Sequence, residues 1–241
     1  MTTVDVAVTI APTELIDNAT LNDLTQYQDE IDIVELRIDQ WPENHIQLLT
    51  ENLEILHNQH ANFKVLATYR TSSQGGKGSL PYEAYMKLLQ DIVHLDYCHM
   101  VDIEWDSNYD VFAHRDFVRL AQENYKQVIV SYHNFQETPD IDILKFTYYK
   151  MHQLNPDYVK IAVMPQCRED VATLLQAMAA SVDAVYPKVI GISMSQLGVV
   201  SRVAQGAFGG AVSFGCLGEP QAPGQLHVKT LKAQLSFYEN I

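Results

Sequence analysis

The least ordinary residue in this chain is Lys160, set in the middle of Tyr158-Val-Lys-Ile-Ala-Val163. So apolar and β-branched a run has strand composition, and lysine is rarely buried in one. Desolvation and neighbouring cations lower the pKa of an amine and release it as a neutral nucleophile. His133 closes a second run, Gln127-Val-Ile-Val-Ser-Tyr-His133, and histidine changes charge near neutral pH. Of six arginines, Arg37, Arg70 and Arg202 fall at or just after further runs of this kind. Together these residue types support Schiff-base chemistry on a carbonyl compound that bears a carboxylate. The lysine forms an imine, the iminium acidifies the adjacent C–H, and the histidine moves that proton. An arginine can grip the carboxylate through two parallel hydrogen bonds.

Such a set needs a scaffold that brings distant strand ends together. Eight strand-like runs recur about every thirty residues, the spacing of βα units: Asp5–Ala11, Ile31–Asp39, Lys64–Arg70, Met100–Trp105, Gln127–His133, Tyr158–Met164, Lys188–Met194 and Gly210–Cys216. Between them lie stretches with helical spacing, namely Thr13–Tyr27, Tyr82–Leu95, Asp140–Leu154, Arg168–Ala180 and Thr230–Tyr238. Pro81 suits a first turn, and Asn155-Pro156 ends the third of these stretches. The turn after the first run, Ala11-Pro12-Thr13-Glu14, is not a nucleotide-binding glycine fingerprint. The expectation is an α/β protein, a (β/α)8 TIM barrel forming one catalytic domain over residues 1–241.

Strand parity then sorts the polar residues. Glu35, Arg37 and Asp39 oppose Val34, Leu36 and Ile38. Asp102 and Glu104 oppose Val101, Ile103 and Trp105. Ser131 and His133 oppose Val130 and Tyr132, and Lys160 opposes Val159 and Ile161. If the apolar parity meets the helices, the ionisable groups converge inside the barrel near the strands' C-terminal ends, where barrel active sites sit. Buried charges there must pair or serve a ligand.

Composition narrows the class. A net charge of −14 over 241 residues disfavours nucleic acid and anionic membrane as partners. Three scattered cysteines, Cys98, Cys167 and Cys216, read as free thiols of a reducing compartment. The opening residues lack the basic region and apolar core of a signal peptide, so a soluble, cytoplasmic protein is expected. His57 with His60, and His94 with Cys98 and His99, lie away from the strand ends and read as incidental, not as metal sites. Lysine chemistry in a barrel leaves open a class I aldolase, and an inactive barrel used as a binding scaffold is the non-enzymatic alternative. The retention of both Lys160 and His133 weighs against the second.

The motifs occur in one order along nearly the whole chain: Glu35-Leu36-Arg37, Thr68-Tyr69-Arg70, Asp102-Ile103-Glu104, Ser131-Tyr132-His133-Asn134-Phe135, Val159-Lys160, Met194 with Gly198-Val199-Val200-Ser201-Arg202, and Ala222-Pro223-Gly224-Gln225. This ordered set resembles type I 3-dehydroquinate dehydratase, the Schiff-base dehydratase of the shikimate pathway, and it weighs against the aldolase. The resemblance implies that Lys160 forms an imine with the substrate ketone and that His133 is the general acid and base of a syn elimination. It implies that Arg202 binds the substrate carboxylate and that Glu35, Arg37 and Arg70 hold ring hydroxyls. Gln225 would contact substrate from a closing loop, Gly215 to Gln225. Met194 and Phe214 would form apolar walls, and Ala222 would line the loop. Asp102 and Glu104 would support the histidine. No cofactor or metal is implied, and the assembly implied is a homodimer acting on 3-dehydroquinate. The chain departs from many members at Gln74, where they carry glutamate before Gly-Gly, and from some at Gln221, where they carry serine. The glutamine amides are expected to supply hydrogen bonds in place of the acid and the hydroxyl.

Overall fold

The computed structural model describes residues 2–59 and 62–239. Eight parallel strands alternate with helices: β1 (Asp5–Ile10), α1 (Asn18–Gln26), β2 (Ile33–Arg37), α2 (His45–Gln59), β3 (Lys64–Thr68), α3 (Tyr82–Ile92), β4 (Met100–Glu104), α4 (Val111–Glu123), β5 (Gln127–Asn134), α5 (Ile141–His152), β6 (Tyr158–Val163), α6 (Arg168–Val182), β7 (Lys188–Ser193), α7 (Val199–Val203), β8 (Val212–Gly215) and α8 (Val228–Glu239). The strands pair in the order β7-β6-β5-β4-β3-β2-β1-β8. The Ala211 amide then donates to the Val189 carbonyl at 2.9 Å, and the Gln205 side-chain amide donates to the Gly191 carbonyl at 3.1 Å. These two bonds tie the segment leading into β8 to β7 and bring the sheet to a nearly closed barrel, as the alternation leads one to expect.

Local chemistry sets the element ends. Asp17 caps α1 by accepting from the Thr20 amide at 2.7 Å, so this helix begins five residues later than its apolar spacing alone suggests. Pro81 is the cap residue just before α3, where a missing N–H costs nothing. Asn155 turns the chain out of α5 with φ 60°, a conformation asparagine tolerates. Asp39, read as part of a strand, lies instead in a short 3-10 turn, Ile38–Gln40.

The two strand faces form separate apolar clusters. Val34, Leu36, Val101, Ile103, Val130, Val159 and Ile161 pack outward against the helices. Each such fully buried side chain contributes about 1.5–3 kcal/mol. Ile33, Leu66, Met100, Ile129, Tyr158, Ile190 and Val212 pack against one another inside the barrel and form its floor. Above that floor the inward positions turn polar. The strand registers set Glu104 beside Ser131 and Ser131 beside Lys160, so one row across β4, β5 and β6 carries an acid, a hydroxyl and an amine.

Candidate active site

A pocket open to solvent lies over this row at the C-terminal ends of the strands. Lys160, His133, Glu35, Arg37, Arg70, Gln74, Met194, Arg202, Phe214, Gln221, Ala222 and Gln225 all line it. Asp102 and Glu104 lie beneath it.

Lys160 is only 5% exposed. Its Nζ sits 3.8 Å from the centroid of the Phe214 ring, a cation–π contact that helps tolerate the ammonium form. Burial pushes the lysine pKa down to about 8. Glu35 and Asp102 oppose that fall, while Arg70 and Arg37 add to it. At neutral pH a useful fraction is therefore free amine.

Glu35 accepts from the hydroxyls of Thr9 at 2.7 Å and Thr68 at 2.9 Å. Burial alone would raise its pKa, but Lys160, Arg37, Thr9 and Arg70 together hold it below the ordinary value. Arg37 is clamped by Asp39, through Nε at 2.7 Å and Nη2 at 2.9 Å. Asp39 in turn accepts from the Lys77 and Arg70 amides, so the 3-10 turn ties Arg37 to the loop that follows β3.

Arg70 is engaged on both terminal nitrogens. Nη1 donates to Glu104 and to Ser131 Oγ, both at 2.9 Å, and Nη2 donates to Asp102 at 2.9 Å. Glu104 also accepts from Thr71 N at 2.8 Å and Thr71 Oγ1 at 2.6 Å. Burial would lower the arginine pKa, but the two carboxylates raise it. This corrects the expected role of the two acids. Asp102 and Glu104 hydrogen-bond Arg70, not His133, because their inward parity places them across the strand ladder from the Arg70 side chain.

The partner of His133 is Gln74. Gln74 Oε1 accepts from the His133 amide at 2.8 Å and lies 3.2 Å from Nδ1, while Gln74 Nε2 donates to the Trp105 carbonyl at 3.0 Å. Burial first, then Arg70, Lys160 and Arg37, hold the imidazole pKa well below its ordinary value. The histidine is thus a neutral base at physiological pH.

Arg202 enters from α7 and is 1% exposed. It donates from Nη1 to the Phe214 carbonyl at 3.1 Å and from Nη2 to the Pro223 carbonyl at 3.0 Å. No carboxylate pairs with it among the described residues, and its buried Nε has no partner. Burial pushes its pKa down to about 10, with Cys216 opposing. A cation so placed favours an incoming anion.

The loop from Gly215 to Gln225 lies down over the pocket. Gln225 Oε1 accepts from the Gln221 and Ala222 amides at 2.7 and 3.2 Å, and its Nε2 donates to Thr9 Oγ1 at 3.2 Å. Gly224 has φ 78°, and a Cβ there would lie 2.2 Å from the Ser195 carbonyl oxygen, so only glycine lets the loop approach the turn that follows β7. The Gln221 side-chain amide donates to the Glu219 carbonyl at 3.2 Å, within its own loop.

Sequence reasoning left Thr9 and Phe135 out of the site, though both line the pocket. A threonine in a strand carries no signal of its own. Its parity with Ala7, which faces the barrel interior, is the clue that was available. Among the described residues no cluster of three or more His, Cys, Asp or Glu could hold a metal ion. His60 lies outside the described residues.

An amine nucleophile, a neutral imidazole and a carboxylate-ready arginine thus share one pocket. The family model for type I 3-dehydroquinase matches residues 6–241. The chain belongs to the type I 3-dehydroquinase family. The 3-dehydroquinate dehydratase of Staphylococcus haemolyticus (strain JCSC1435) is 66% identical over 240 residues, 100% of both chains. Among solved structures, the 3-dehydroquinate dehydratase from Geobacillus kaustophilus HTA426 has a TM-score of 0.88 at 25% identity, covering 98% of this chain and 91% of that one. The type I 3-dehydroquinate dehydratase from Clostridium difficile, solved with covalently modified comenic acid, has a TM-score of 0.86 at 28% identity, covering 100% of this chain and 95% of that one. Among the described residues, no helix is long and apolar enough to cross a membrane.

Proposed function

We propose that this dehydroquinase-family chain, as one catalytic barrel over residues 1–241, converts 3-dehydroquinate to 3-dehydroshikimate in the shikimate pathway through a Schiff base on Lys160. The neutral amine of Lys160 attacks the C3 ketone, and loss of water gives the iminium. That cation draws electrons from the adjacent carbon, and His133 removes the C2 proton to give an enamine. The imidazolium so formed returns its proton to the departing C1 hydroxyl, which leaves as water on the same face. Hydrolysis then frees the product and the amine. The net change is loss of one water molecule, and the lysine itself supplies the electron sink, so the chemistry calls for no cofactor or metal.

Arg202 holds the substrate carboxylate through the donor it leaves unmatched. Glu35 and Arg37 meet ring hydroxyls, while Arg70, engaged by Asp102, Glu104 and Ser131, contributes chiefly its positive field to that wall. Met194, Phe214 and Ala222 enclose the apolar edge, and Gln225 closes over the substrate. Water exclusion by that loop strengthens every charge interaction beneath it. On the family resemblance the enzyme works as a cytoplasmic homodimer, which light scattering of the purified protein tests.

The observation that carries this reading is the buried Lys160, its pKa held at about 8, in one pocket with His133 and Arg202. The test is to incubate the protein with 3-dehydroquinate, follow the ultraviolet absorbance of the enone, and trap the intermediate with borohydride. Mass spectrometry is expected to place the reduced adduct on Lys160. No enone, or an adduct on another lysine, overturns the reading.

A further inference from the structure

Helix α5 is apolar on two faces where a surface helix is ordinarily apolar on one. Leu144, Tyr148 and Met151 are buried against the barrel. At 3.6 residues per turn Phe146 then projects from the opposite side, straight outward, with Ile143 and Tyr149 on its two flanks. All three are exposed, Ile143 by 55%, Phe146 by 58% and Tyr149 by 48%. The stripe widens at both ends. At Ile143 it continues across a groove to Val111, the first residue of α4. At Tyr149 it continues through the His152 ring to Tyr186, with centroid separations of 6.1 and 5.6 Å. An exposed apolar surface of this kind marks an interaction site.

The order of residues on the outward face names the occupant. Phe146 is the midpoint. Three positions to either side stand Ile143 and Tyr149, and four positions to either side stand Asp142 and Lys150. Set a second α5 antiparallel to the first, about a two-fold axis through Phe146. Ile143 then meets Tyr149 of the second copy, and Asp142 meets Lys150 of the second copy. Apolar falls on apolar and acid on base, each contact occurring twice, as a two-fold contact requires. A parallel pair would set Asp142 against its own counterpart. Neither charge is committed to the barrel: Asp142 bonds Lys145 of its own helix at 3.0 Å, and Lys150 lies 5.2 Å from the Phe146 ring centroid.

We infer that the outward face of α5 is a two-fold interface, in which Phe146 packs on the axis against Phe146 of a second copy of this chain. This rests on the homodimer reading above and gives that dimer its face. Two chains of net charge −14 repel one another at long range. Their association therefore needs apolar surface and locally matched charges, and this face carries both.

The test is sedimentation velocity of the full-length protein, without substrate, at micromolar concentration. Wild type is expected to sediment as a dimer. Phe146→Glu sets two like charges on the axis and should weaken the dimer by at least ~100-fold. Its circular dichroism should not change, because the side chain is exposed in the single chain. Charge swaps fix the register. Asp142→Lys alone and Lys150→Asp alone each set like charges together at two places and should weaken the dimer by about 10-fold. The double variant should return to within about threefold of wild type. A Phe146→Glu dimer as tight as wild type overturns the inference and leaves the homodimer reading standing. So does a double variant that associates no better than either single one. A monomeric wild type overturns both the face and the homodimer reading, and leaves the stripe to an unlike partner. Because size is read without substrate, none of these outcomes depends on the turnover of 3-dehydroquinate.

Discussion

Arg70 and Arg202 are both nearly sealed from solvent, 3% and 1% exposed, yet they stand in opposite electrostatic settings. Arg70 has two carboxylates and a serine hydroxyl on its terminal nitrogens, and its pKa is raised. Arg202 has two carbonyls, an unmatched Nε and a lowered pKa. The first belongs to an ion cluster that ties β3, β4 and β5 together and matches both terminal nitrogens of the arginine, although Asp102 Oδ2 within it has no partner. The second is an incomplete one, with room for a counter-ion from outside. The same division separates the two sides of the pocket, because Lys160, like Arg202, carries its charge at a cost. In this site Arg37 and Arg70 are each held by carboxylates, while Arg202 is held by carbonyls alone.

Four substitutions press on that division, the largest effect first. Lys160→Ala is expected to cut turnover by at least ~10⁴-fold, as loss of a nucleophile does, and to abolish the borohydride adduct while leaving a folded barrel by circular dichroism. Arg70→Met should cost about 3–5 kcal/mol in urea unfolding, since it strands two buried carboxylates. Arg202→Met should cost less stability than that and instead raise KM for 3-dehydroquinate by roughly 30-fold, about 2 kcal/mol. If the two arginine variants lost stability equally, the contrast between them would collapse. Glu35→Gln is the most delicate probe. Glu35 favours the ammonium form of Lys160, so its neutralisation should move the acid limb of kcat/KM to lower pH from a wild-type position near 8. An upward or absent movement, read from the pH profile, would mean that Glu35 does not govern the lysine.

Much of this was readable from residue types. The strand-like runs recurring about every thirty residues placed all eight strands, and side-chain parity then sorted the charges of β2, β4, β5 and β6, where a one-residue slip would turn them into the helix layer. Lys160 stood out as a charge in the middle of an apolar run, His133 as the end of a run, and Arg202 as a charge that follows one. What alternation does not encode is which polar groups bond across strands. Asp102 and Glu104 share an inward face with both Arg70 and His133, and only the three-dimensional reach of each side chain assigns them to the arginine. Gln74 and His133 lie 59 residues apart, and neither has a local pattern that names the other. Strand and helix ends shifted where a single cap or turn intervened, as at Asp17 and Asp39. The helices α2, α4 and α7 were left without bounds, since their polar faces mix with loop-like flanks.

The bond from Gln225 to Thr9 joins residues 216 apart in the chain. A nascent chain carries Lys160 long before it carries the loop that encloses it, by on the order of ten seconds at ~5–20 residues per second. During synthesis the amine is therefore an ordinary, solvated lysine, protonated and unreactive. Its pKa falls as the barrel assembles around it, burial being the leading cause.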